Sequence, residues 1–261
     1  ILNSTPEVIS YGELHQFYTY LKKEGKCSCG ETLDKCGVWS DILLKLNLSE
    51  RNIKSFEVLQ NNEEKHQFIP LLLIGKKGSE NYNISQEILF NALNANSDGW
   101  VLDSSKYVGR YLLLNQLKNK TVKGIYVVRD IRGVIHSFNK QVQTRKKPIS
   151  AIFYYILTNT FAQIVCWIKK DVIKLRYEDL VDNPLNEIKK IYTSLLNSDE
   201  TSFQLNETFD IPHIIGGNRL KSNKTLKIIK DVEWKKNFSR RSQVLYYILC
   251  LPFMLINKYK I

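Results

Sequence analysis

Residues 122–138, VKGIYVVRDIRGVIHSF, decide the fold that we assign to this chain. The run at 125–128 is short, apolar and β-branched, which predicts a strand that is covered on both faces. A turn and a helix follow this strand. Arg129 therefore lies at the carboxyl end of a buried strand, which is where open α/β sheets bind their ligands.

Arg129 and Ser137 are the residues of this stretch that suit a phosphate group. An arginine offers phosphate oxygens a planar, two-pronged donor, and Ser137, eight residues further on, adds a hydroxyl near the start of the helix. A surface pair of Arg129 and Asp130 that caps the helix explains the same residues without any ligand. Position in a fold does not by itself decide between these interpretations.

The rest of the chain repeats the alternation of strand and helix. Further strands are predicted at about 100–102 and 172–175. Helices are predicted at about 14–23, 38–46, 85–95, 107–117, 149–169, 184–196 and 242–256, and from the turn after Arg129 to about 143. This order predicts an α/β fold with a parallel, doubly wound sheet flanked by helices. With 261 residues, 43% of them hydrophobic, and no internal repeat, we expect one domain over residues 1–261.

The net charge of +12 is high for a globular domain and suits an anionic partner. Nucleic acid, anionic lipid, anionic sugars and a phosphate-bearing cofactor all fit that charge. No RNA-recognition or zinc-finger signature accompanies the basic clusters, so no nucleic-acid partner is expected. No apolar run reaches the roughly 20 residues of a transmembrane helix, so we expect no membrane-spanning segment.

Three of the five cysteines, Cys27, Cys29 and Cys36, form a close cluster. The odd total argues against a complete disulfide framework. A zinc site needs a fourth ligand, and no nearby histidine has an obvious spacing, although His15 is possible. Metal site and disulfide stay open, but structural thiols are favoured and no metal site is predicted.

Three stretches resemble the nucleotide-dependent sulfotransferases, which use 3′-phosphoadenosine-5′-phosphosulfate (PAPS). Residues 127–132, VVRDIR, with Ser137 resemble the 3′-phosphate-binding segment of that family, including its spacing. Residues 175–184, LRYEDLVDNP, resemble its second strand-to-helix segment. Residues 214–219, IIGGNR, are similar to a late Gly-Asn-Arg loop of the bacterial and carbohydrate-type branch.

Two further segments agree with this resemblance. The cysteine cluster with Gly30 and Trp39 is similar to a segment common in that branch, and residues 2–13 resemble the end of the family's first helix and the Gly-Glu after it. The resemblance implies a P-loop-like fold and a sulfotransferase. Such an enzyme moves the sulfuryl group of PAPS to a hydroxyl of a carbohydrate, a protein tyrosine or a small alcohol.

The resemblance also assigns roles to residues. Glu13 matches a catalytic glutamate of the tyrosylprotein branch, so it is the candidate base, and Lys106 is the candidate for stabilising the bridging oxygen. The candidate cofactor ligands are Arg129, Ser137, Tyr177, Asn218 and Arg219. Each has a plainer explanation. Glu13 can be a carboxylate that the dipole of a helix N-terminus favours. Lys106 can be a surface lysine, and Tyr177 can fill space in the core. Asn218 and Arg219 can be polar residues of an ordinary turn after two glycines.

One departure from the family concerns the start of the chain. The family's first strand and its 5′-phosphosulfate loop, which holds phosphate with backbone N–H groups, are expected before Ile1 and are not found. We therefore expect a truncated sheet and a fragment that is inactive alone. The compartment expected is the cytoplasm for a bacterial source and the Golgi lumen for a eukaryotic one.

Two other functions stay open from the sequence. A related nucleotide-dependent kinase needs a Walker A lysine and a magnesium-binding hydroxyl, which do not occur here, although residues before Ile1 can supply them. A basic binding module for nucleic acid or anionic glycan needs only the positive charge. Its affinity falls steeply with salt and shows no nucleotide specificity.

Overall fold

The computed structural model describes residues 2–5, 7–95, 99–140, 146–196, 207–217, 223 and 225–261. It divides into two compact units, which we call the first unit (Ile1–Val122 with Thr208–Lys227) and the second unit (Lys123–Glu207 with Ile228–Ile261). Each unit contains a pair of parallel strands flanked by helices. The predicted α/β class with parallel strands is therefore confirmed, whereas the assignment of one domain stays a prediction.

The elements follow one another in this order along the chain. The strands are β1 (Val8–Gly12), β2 (Trp100–Asp103), β3 (Gly124–Val128), β4 (Val172–Arg176), β5 (Phe209–Asp210) and β6 (Thr225–Leu226). The helices are α1 (Phe17–Lys22), α2 (Trp39–Leu46), α3 (Glu50–Glu63), α4 (Ile69–Leu73), α5 (Glu80–Asn94), α6 (Val108–Leu114), α7 (Ile131–Asn139), α8 (Pro148–Ile168), α9 (Tyr177–Asp182), α10 (Pro184–Ile191), α11 (Trp234–Asn237), α12 (Arg240–Leu249) and α13 (Leu251–Ile256). Short 3-10 helices occupy Leu2–Ser4, Leu14–Gln16 and His66–Phe68, and a π-helical turn occupies Tyr192–Leu196.

In the first unit, β1 and β2 pair in parallel, with Val8 opposite Trp100 and Gly12 opposite Asp103. The sequence indicates only a turn and an apolar pair where β1 lies, because Ser10 and Gly12 interrupt its apolar pattern. The strand forms through long-range pairing with β2 and with Ile215, which bridges to Gly12 in parallel. Local propensity therefore does not reveal it.

The core of the first unit is built from aromatic and aliphatic side chains of β1, α1, α2 and α5. The ring of Trp39 is fully buried and lies 5.5 Å from the ring of Tyr11 and 5.6 Å from that of Phe17. Helix α5 begins five residues before the predicted start at 85, since the Ser79 hydroxyl accepts a hydrogen bond from the Tyr82 amide and caps the helix.

In the second unit, β3 and β4 pair in parallel from Gly124 opposite Val172 to Val128 opposite Arg176. Both strands confirm their predictions. Helix α8 packs against both strands through polar contacts. The Tyr126 hydroxyl donates to Asn159 Oδ1 at 2.6 Å. Lys174 Nζ donates to Gln163 Oε1 at 2.9 Å.

Helix α8 bears on the expectation that no segment spans a membrane. It is 21 residues long and, by length and composition alone, apolar enough to cross a membrane. The sequence estimate missed this because polar residues such as Asn159 interrupt the apolar run. A core helix passes the same test, and this one packs on the strands of its unit. Of its aromatic residues, Tyr155 is buried, whereas Trp167 is 68% exposed.

The C-terminal helix differs from the sequence prediction in its continuity. The predicted helix at 242–256 is two helices, α12 and α13, which separate at Cys250, with Pro252 in the first turn of α13. Proline has no backbone N–H to continue a helix and tolerates the first turn. Helix α9 is also additional, because the sequence indicates only a turn before Asn183.

We expect Gly12→Ala to destabilise the first unit. Gly12 has φ of +85°, and a Cβ at this position lies 2.2 Å from the carbonyl oxygen of Ile215. Backbone strain alone costs about 1–3 kcal/mol at such a residue. Gly37→Ala is the matched control, because a Cβ there meets nothing within 4 Å. Urea unfolding followed by circular dichroism measures both variants, and equal midpoints contradict the prediction.

Candidate functional site

Four of the predicted site residues lie at or just beyond the carboxyl ends of the parallel strands. Glu13 follows β1, and Lys106 lies three residues after β2. Arg129 follows β3, and Tyr177 follows β4. The first two belong to the first unit and the last two to the second. Within each unit, the carboxyl ends of the parallel strands are where α/β sheets bind ligands.

Glu13 and Lys106 form an ion pair in the first unit. Lys106 Nζ donates to Glu13 Oε1 at 2.8 Å, and Gln16 Nε2 donates to Glu13 Oε2 at 2.8 Å. The Glu13 side chain is 11% exposed and that of Lys106 is 76% exposed. An ion pair with so exposed a partner contributes little to stability. Lys106 can therefore exchange partners at low cost, while Glu13 stays in place.

The backbone around Glu13 is held by residues of the segment 212–217, which we call the histidine–glycine loop. The Glu13 amide donates to the Ile215 carbonyl at 2.9 Å, and the Ile215 amide donates to the Tyr11 carbonyl at 3.1 Å. A Cβ at Gly216, whose φ is +67°, lies 2.6 Å from the Glu13 Cβ. Only glycine fits at that position. The predicted ligands Asn218 and Arg219 follow this loop and lie outside the described residues.

Asp103, the last residue of β2, connects Glu13 to Lys106 through the backbone. Its Oδ1 accepts from the Leu14 amide at 3.2 Å and from the Ser105 amide at 2.9 Å. Its Oδ2 accepts from Arg110 Nε at 2.6 Å. The carboxylate therefore fixes the residue after Glu13 and the residue before Lys106.

Arg110 is 1% exposed and compensates two carboxylates, the buried Glu64 and the half-buried Asp103. Besides Asp103, it donates from Nη1 to Glu64 Oε1 at 2.6 Å and to Gln86 Oε1 at 3.0 Å. Glu64 also accepts from the Tyr82 hydroxyl at 2.8 Å. Sequence reasoning missed this network, and the available signal was an arginine inside the apolar helix VGRYLLL.

The pKa shifts of this network follow from burial and charge. For Asp103, burial raises the pKa, but Arg110 and Ser105 outweigh it, so the pKa lies below its usual value. For Glu64, burial dominates the attraction of Arg110 and raises the pKa. Burial lowers the pKa of His15, whose Nδ1 lies 3.2 Å from Ser105 Oγ. His15 thus stands beside Ser105 in this site.

In the second unit, Arg129 lies between an aromatic ring and a carboxylate. Its guanidinium carbon is 4.3 Å from the ring centroid of Tyr177, and its Nη2 is 3.1 Å from Asp231 Oδ2. A Cβ at Gly133 lies 2.8 Å from Arg129 Nε, so the side chain lies flat on the first turns of α7. Arg129 therefore already holds one anionic group. Ser137 lies half-buried on the same helix.

The carboxylate on Arg129 belongs to a charge cluster that sequence reasoning missed. Lys140 Nζ lies 3.3 Å from Asp231 Oδ2 and 2.8 Å from Glu233 Oε2. His136 Nε2 lies 3.3 Å from the same Glu233 oxygen. Burial raises the pKa of Asp231, but Arg129 and Lys140 outweigh it and hold the pKa below its usual value. The cluster keeps Asp231 ionised against Arg129 at neutral pH.

Asp130 and Arg132 perform the helix-capping role that the sequence left open for Arg129. The Asp130 side chain caps α7 by accepting from the Arg132 amide at 2.8 Å. Arg132 Nη2 lies 2.6 Å from Asp130 Oδ2, and both side chains are buried. Arg132 is thus in a structural ion pair. Arg129 points instead to Tyr177 and Asp231.

The three clustered cysteines lie beside a histidine that their spacing does not reveal. The ligand atoms of Cys27, Cys29, Cys36 and His213 all lie within 4.8 Å of one another. The histidine comes from the histidine–glycine loop, far along the chain. His15, the one histidine that the sequence suggests for this cluster, contacts Ser105 and Tyr107.

The comparison with protein families agrees with the resemblance seen in the sequence. The model of the sulfotransferase domain family matches residues 32–244. No curated protein matches the chain. Among solved structures, the chain is similar to the sulfotransferase domain from the curacin biosynthetic pathway, with 18% sequence identity and a TM-score of 0.44. The match covers 78% of this chain and 72% of that chain.

We expect Arg110→Met to destabilise the protein by about 3–5 kcal/mol, because removal of one partner leaves buried carboxylates uncompensated. Lys54→Ala is the control, since Lys54 pairs with Glu50 on the surface, where both side chains are mostly exposed. That control is expected to change stability by less than about 0.5 kcal/mol. The free energies of unfolding come from urea titration. A methionine variant as stable as the control refutes the assigned role of Arg110.

Proposed function

The chain belongs to the sulfotransferase domain family, and from this premise we propose that it transfers the sulfuryl group of PAPS to a hydroxyl group by in-line displacement. The observation that carries the proposal is the Glu13–Lys106 pair at the carboxyl ends of β1 and β2. A sulfuryl transferase needs a base for the acceptor and a cation for the leaving group. This pair supplies one of each.

The proposed step has one bond formed and one broken. The acceptor oxygen attacks the sulfur of PAPS as Glu13 takes the acceptor's proton, and the bond between sulfur and the bridging oxygen breaks. The electron pair of that bond goes to 3′-phosphoadenosine-5′-phosphate (PAP), the leaving product. Lys106 donates a hydrogen bond to the bridging oxygen as negative charge develops there.

The surroundings of the pair suit these two roles. Gln16 holds one oxygen of Glu13, and Lys106 alone holds the other among the described contacts. When the exposed Lys106 turns to the bridging oxygen, Glu13 Oε1 becomes open to a hydroxyl proton. The contact between Glu13 and the histidine–glycine loop holds the base while its partner moves.

For the donor, we propose that Arg129 and Ser137 bind the 3′-phosphate. The Tyr177 ring supports the guanidinium through a cation–π contact. A phosphate dianion carries more charge than the Asp231 carboxylate and is expected to displace it from Arg129. Asn218 and Arg219 are proposed to close over the nucleotide on the resemblance alone.

The acceptor class follows from the family as a hydroxyl compound, with carbohydrate, protein tyrosine and small alcohol as the candidates. We propose a cytoplasmic enzyme if the source is bacterial and a Golgi enzyme if it is eukaryotic. The 5′-phosphosulfate loop expected before Ile1 stays a prediction, as does the inactivity of the fragment.

We expect PAP to bind through Arg129. Isothermal titration is made on the 261-residue chain and on that chain extended by whatever its gene encodes before Ile1. Arg129→Ala is expected to weaken PAP binding roughly 10- to 100-fold, because hydrogen bonds to a charged group contribute about 1.5–3 kcal/mol. Adenosine diphosphate, which lacks the 3′-phosphate, is expected to bind wild type and variant equally weakly.

Arg240→Ala is the control for net charge, since Arg240 is exposed at the start of α12. It is expected to leave PAP affinity within about twofold of wild type. If neither the 261-residue chain nor the extended chain binds PAP although both are folded, the donor assignment is wrong. Salt-sensitive binding of polyanions without nucleotide preference then favours a basic binding module.

We expect Glu13→Gln to slow transfer about 100-fold or more, the usual contribution of a positioned base. Glutamine keeps the shape and the contact with Gln16 but takes up no proton. The measurement, made on the extended chain, is transfer of radiolabelled sulfate from PAPS to a panel of sugars, tyrosine peptides and small alcohols. PAP affinity is expected to stay within about twofold.

Glu50→Gln is the matched control, because the Glu50 side chain is 91% exposed on α3. It is expected to transfer sulfate at the wild-type rate. A Glu13→Gln variant that keeps the wild-type rate on the best acceptor excludes Glu13 as the base and leaves it a structural residue beside the histidine–glycine loop.

A further inference from the structure

Three thiols and one imidazole of the first unit are arranged as a set of metal ligands. Cys27 Sγ lies 3.7 Å from His213 Nδ1, and Cys36 Sγ lies 3.1 Å from the same nitrogen. The Cys29 sulfur completes a group in which all four atoms lie within 4.8 Å of one another. In a tetrahedral zinc site, sulfur and nitrogen ligands lie about 3.5 Å apart, given bonds of about 2.3 and 2.0–2.1 Å.

The backbone holds these ligands together without any ion. The Ser28 amide donates to the Ile214 carbonyl at 3.1 Å, and the Ile214 amide donates to Ser28 Oγ at 3.1 Å. Trp39 Nε1 donates to the His213 carbonyl at 3.0 Å. The Ser28 hydroxyl also donates to the Pro212 carbonyl at 2.6 Å. Hydrogen bonds therefore fix the segment that carries the cysteines against the histidine–glycine loop on both sides of His213. The ligand set is preorganised, which favours metal binding.

Other arrangements of the same groups explain less. Cys27 and Cys36 are 2% and 1% exposed, so neither is placed for surface chemistry. A disulfide between any two of the cysteines uses two sulfurs and leaves the third facing an imidazole nitrogen. Unligated thiols are weak partners for that nitrogen. Four soft or borderline ligands around one point suit zinc better than the hard cations, which prefer oxygen.

We propose that Cys27, Cys29, Cys36 and His213 bind one zinc ion that anchors the histidine–glycine loop. Binding replaces the three thiol protons, which pass to solvent, with three zinc–sulfur bonds, and His213 binds as a neutral imidazole. All four positions of the ion are filled by protein, as in structural zinc sites. The ion therefore has no open position for a substrate.

The proposed ion acts on Glu13 through a short segment of backbone. Three residues after His213, Gly216 lies against the Glu13 side chain, and Ile215 between them accepts from the Glu13 amide. His213 is thus a positioning residue for the base. Zinc binding itself does not depend on the proposed function, so a failure of sulfuryl transfer leaves this inference standing, and the reverse holds as well.

The first test is the metal content of the full chain, purified under reducing conditions from cells supplied with zinc and measured by plasma mass spectrometry. One zinc per chain is expected. His213→Ala and Cys36→Ser are expected to lose most of it, whereas His213→Cys keeps it, because a thiolate replaces the imidazole. Cys166→Ser on α8 is the matched control and is expected to keep one zinc.

Three results overturn the proposal. One is wild-type protein without zinc in which thiol titration finds two thiols fewer than the five cysteines, which indicates a disulfide. Another is iron with inorganic sulfide in place of zinc. The third is zinc that the alanine and serine variants retain. His213→Cys separates loss of a ligand from misfolding, because it also removes the histidine but keeps a metal ligand. If His213→Ala loses zinc only because it misfolds, His213→Cys is expected to lose it too.

The second test follows the consequence for the loop. Removal of zinc with a strong chelator is expected to speed hydrogen exchange of the Ile215 and Glu13 amides about tenfold or more, since both hydrogen bonds belong to the anchored loop. Amides of α8 in the second unit serve as the internal control and are expected to keep their rates. Unchanged exchange at Ile215 refutes the anchoring role.

Discussion

The buried charge of Arg110 is the constraint on which the first unit depends. A guanidinium that is 1% exposed must be compensated, and Asp103 and Glu64 do this from β2 and the end of α3. Asp103 then uses its remaining capacity to hold the amides that flank Glu13 and Lys106. The Arg110–Asp103 ion pair therefore fixes the backbone positions of Glu13 and Lys106.

The second unit separates structural from exchangeable arginines by burial. The side chain of Arg132 is 4% exposed and is paired with Asp130, which caps the same helix. The side chain of Arg129 is 19% exposed, and its carboxylate partner is 23% exposed, so water and ligands reach the pair. The two arginines lie three residues apart in one motif, and they differ in how far their ion pairs are open to solvent.

Sequence reasoning succeeded where the signal is local. The β-branched runs of β3 and β4, the apolar helix α8 and the position of Arg129 at a strand end all follow from neighbouring residues. It failed for β1, whose partners are β2 and Ile215, and for the fourth residue of the cysteine cluster. His213 lies 177 residues from Cys36, so no spacing rule connects them. The link between Glu13 and Lys106, 93 residues apart, was equally out of reach.

The histidine–glycine loop explains why the two long-range features belong together. Gly216 has no side chain, so its backbone forms the wall that contacts the Glu13 side chain. A side chain in this place can change its rotamer, whereas the backbone moves only if the loop moves. Such a wall positions a carboxylate only if the loop is fixed on both sides. The hydrogen bonds between Ile215 and β1 fix the loop next to Gly216, and the proposed zinc ion fixes it at His213. A carboxylate held in this way keeps its position without Lys106, which is the condition that the proposed roles of Glu13 and Lys106 require.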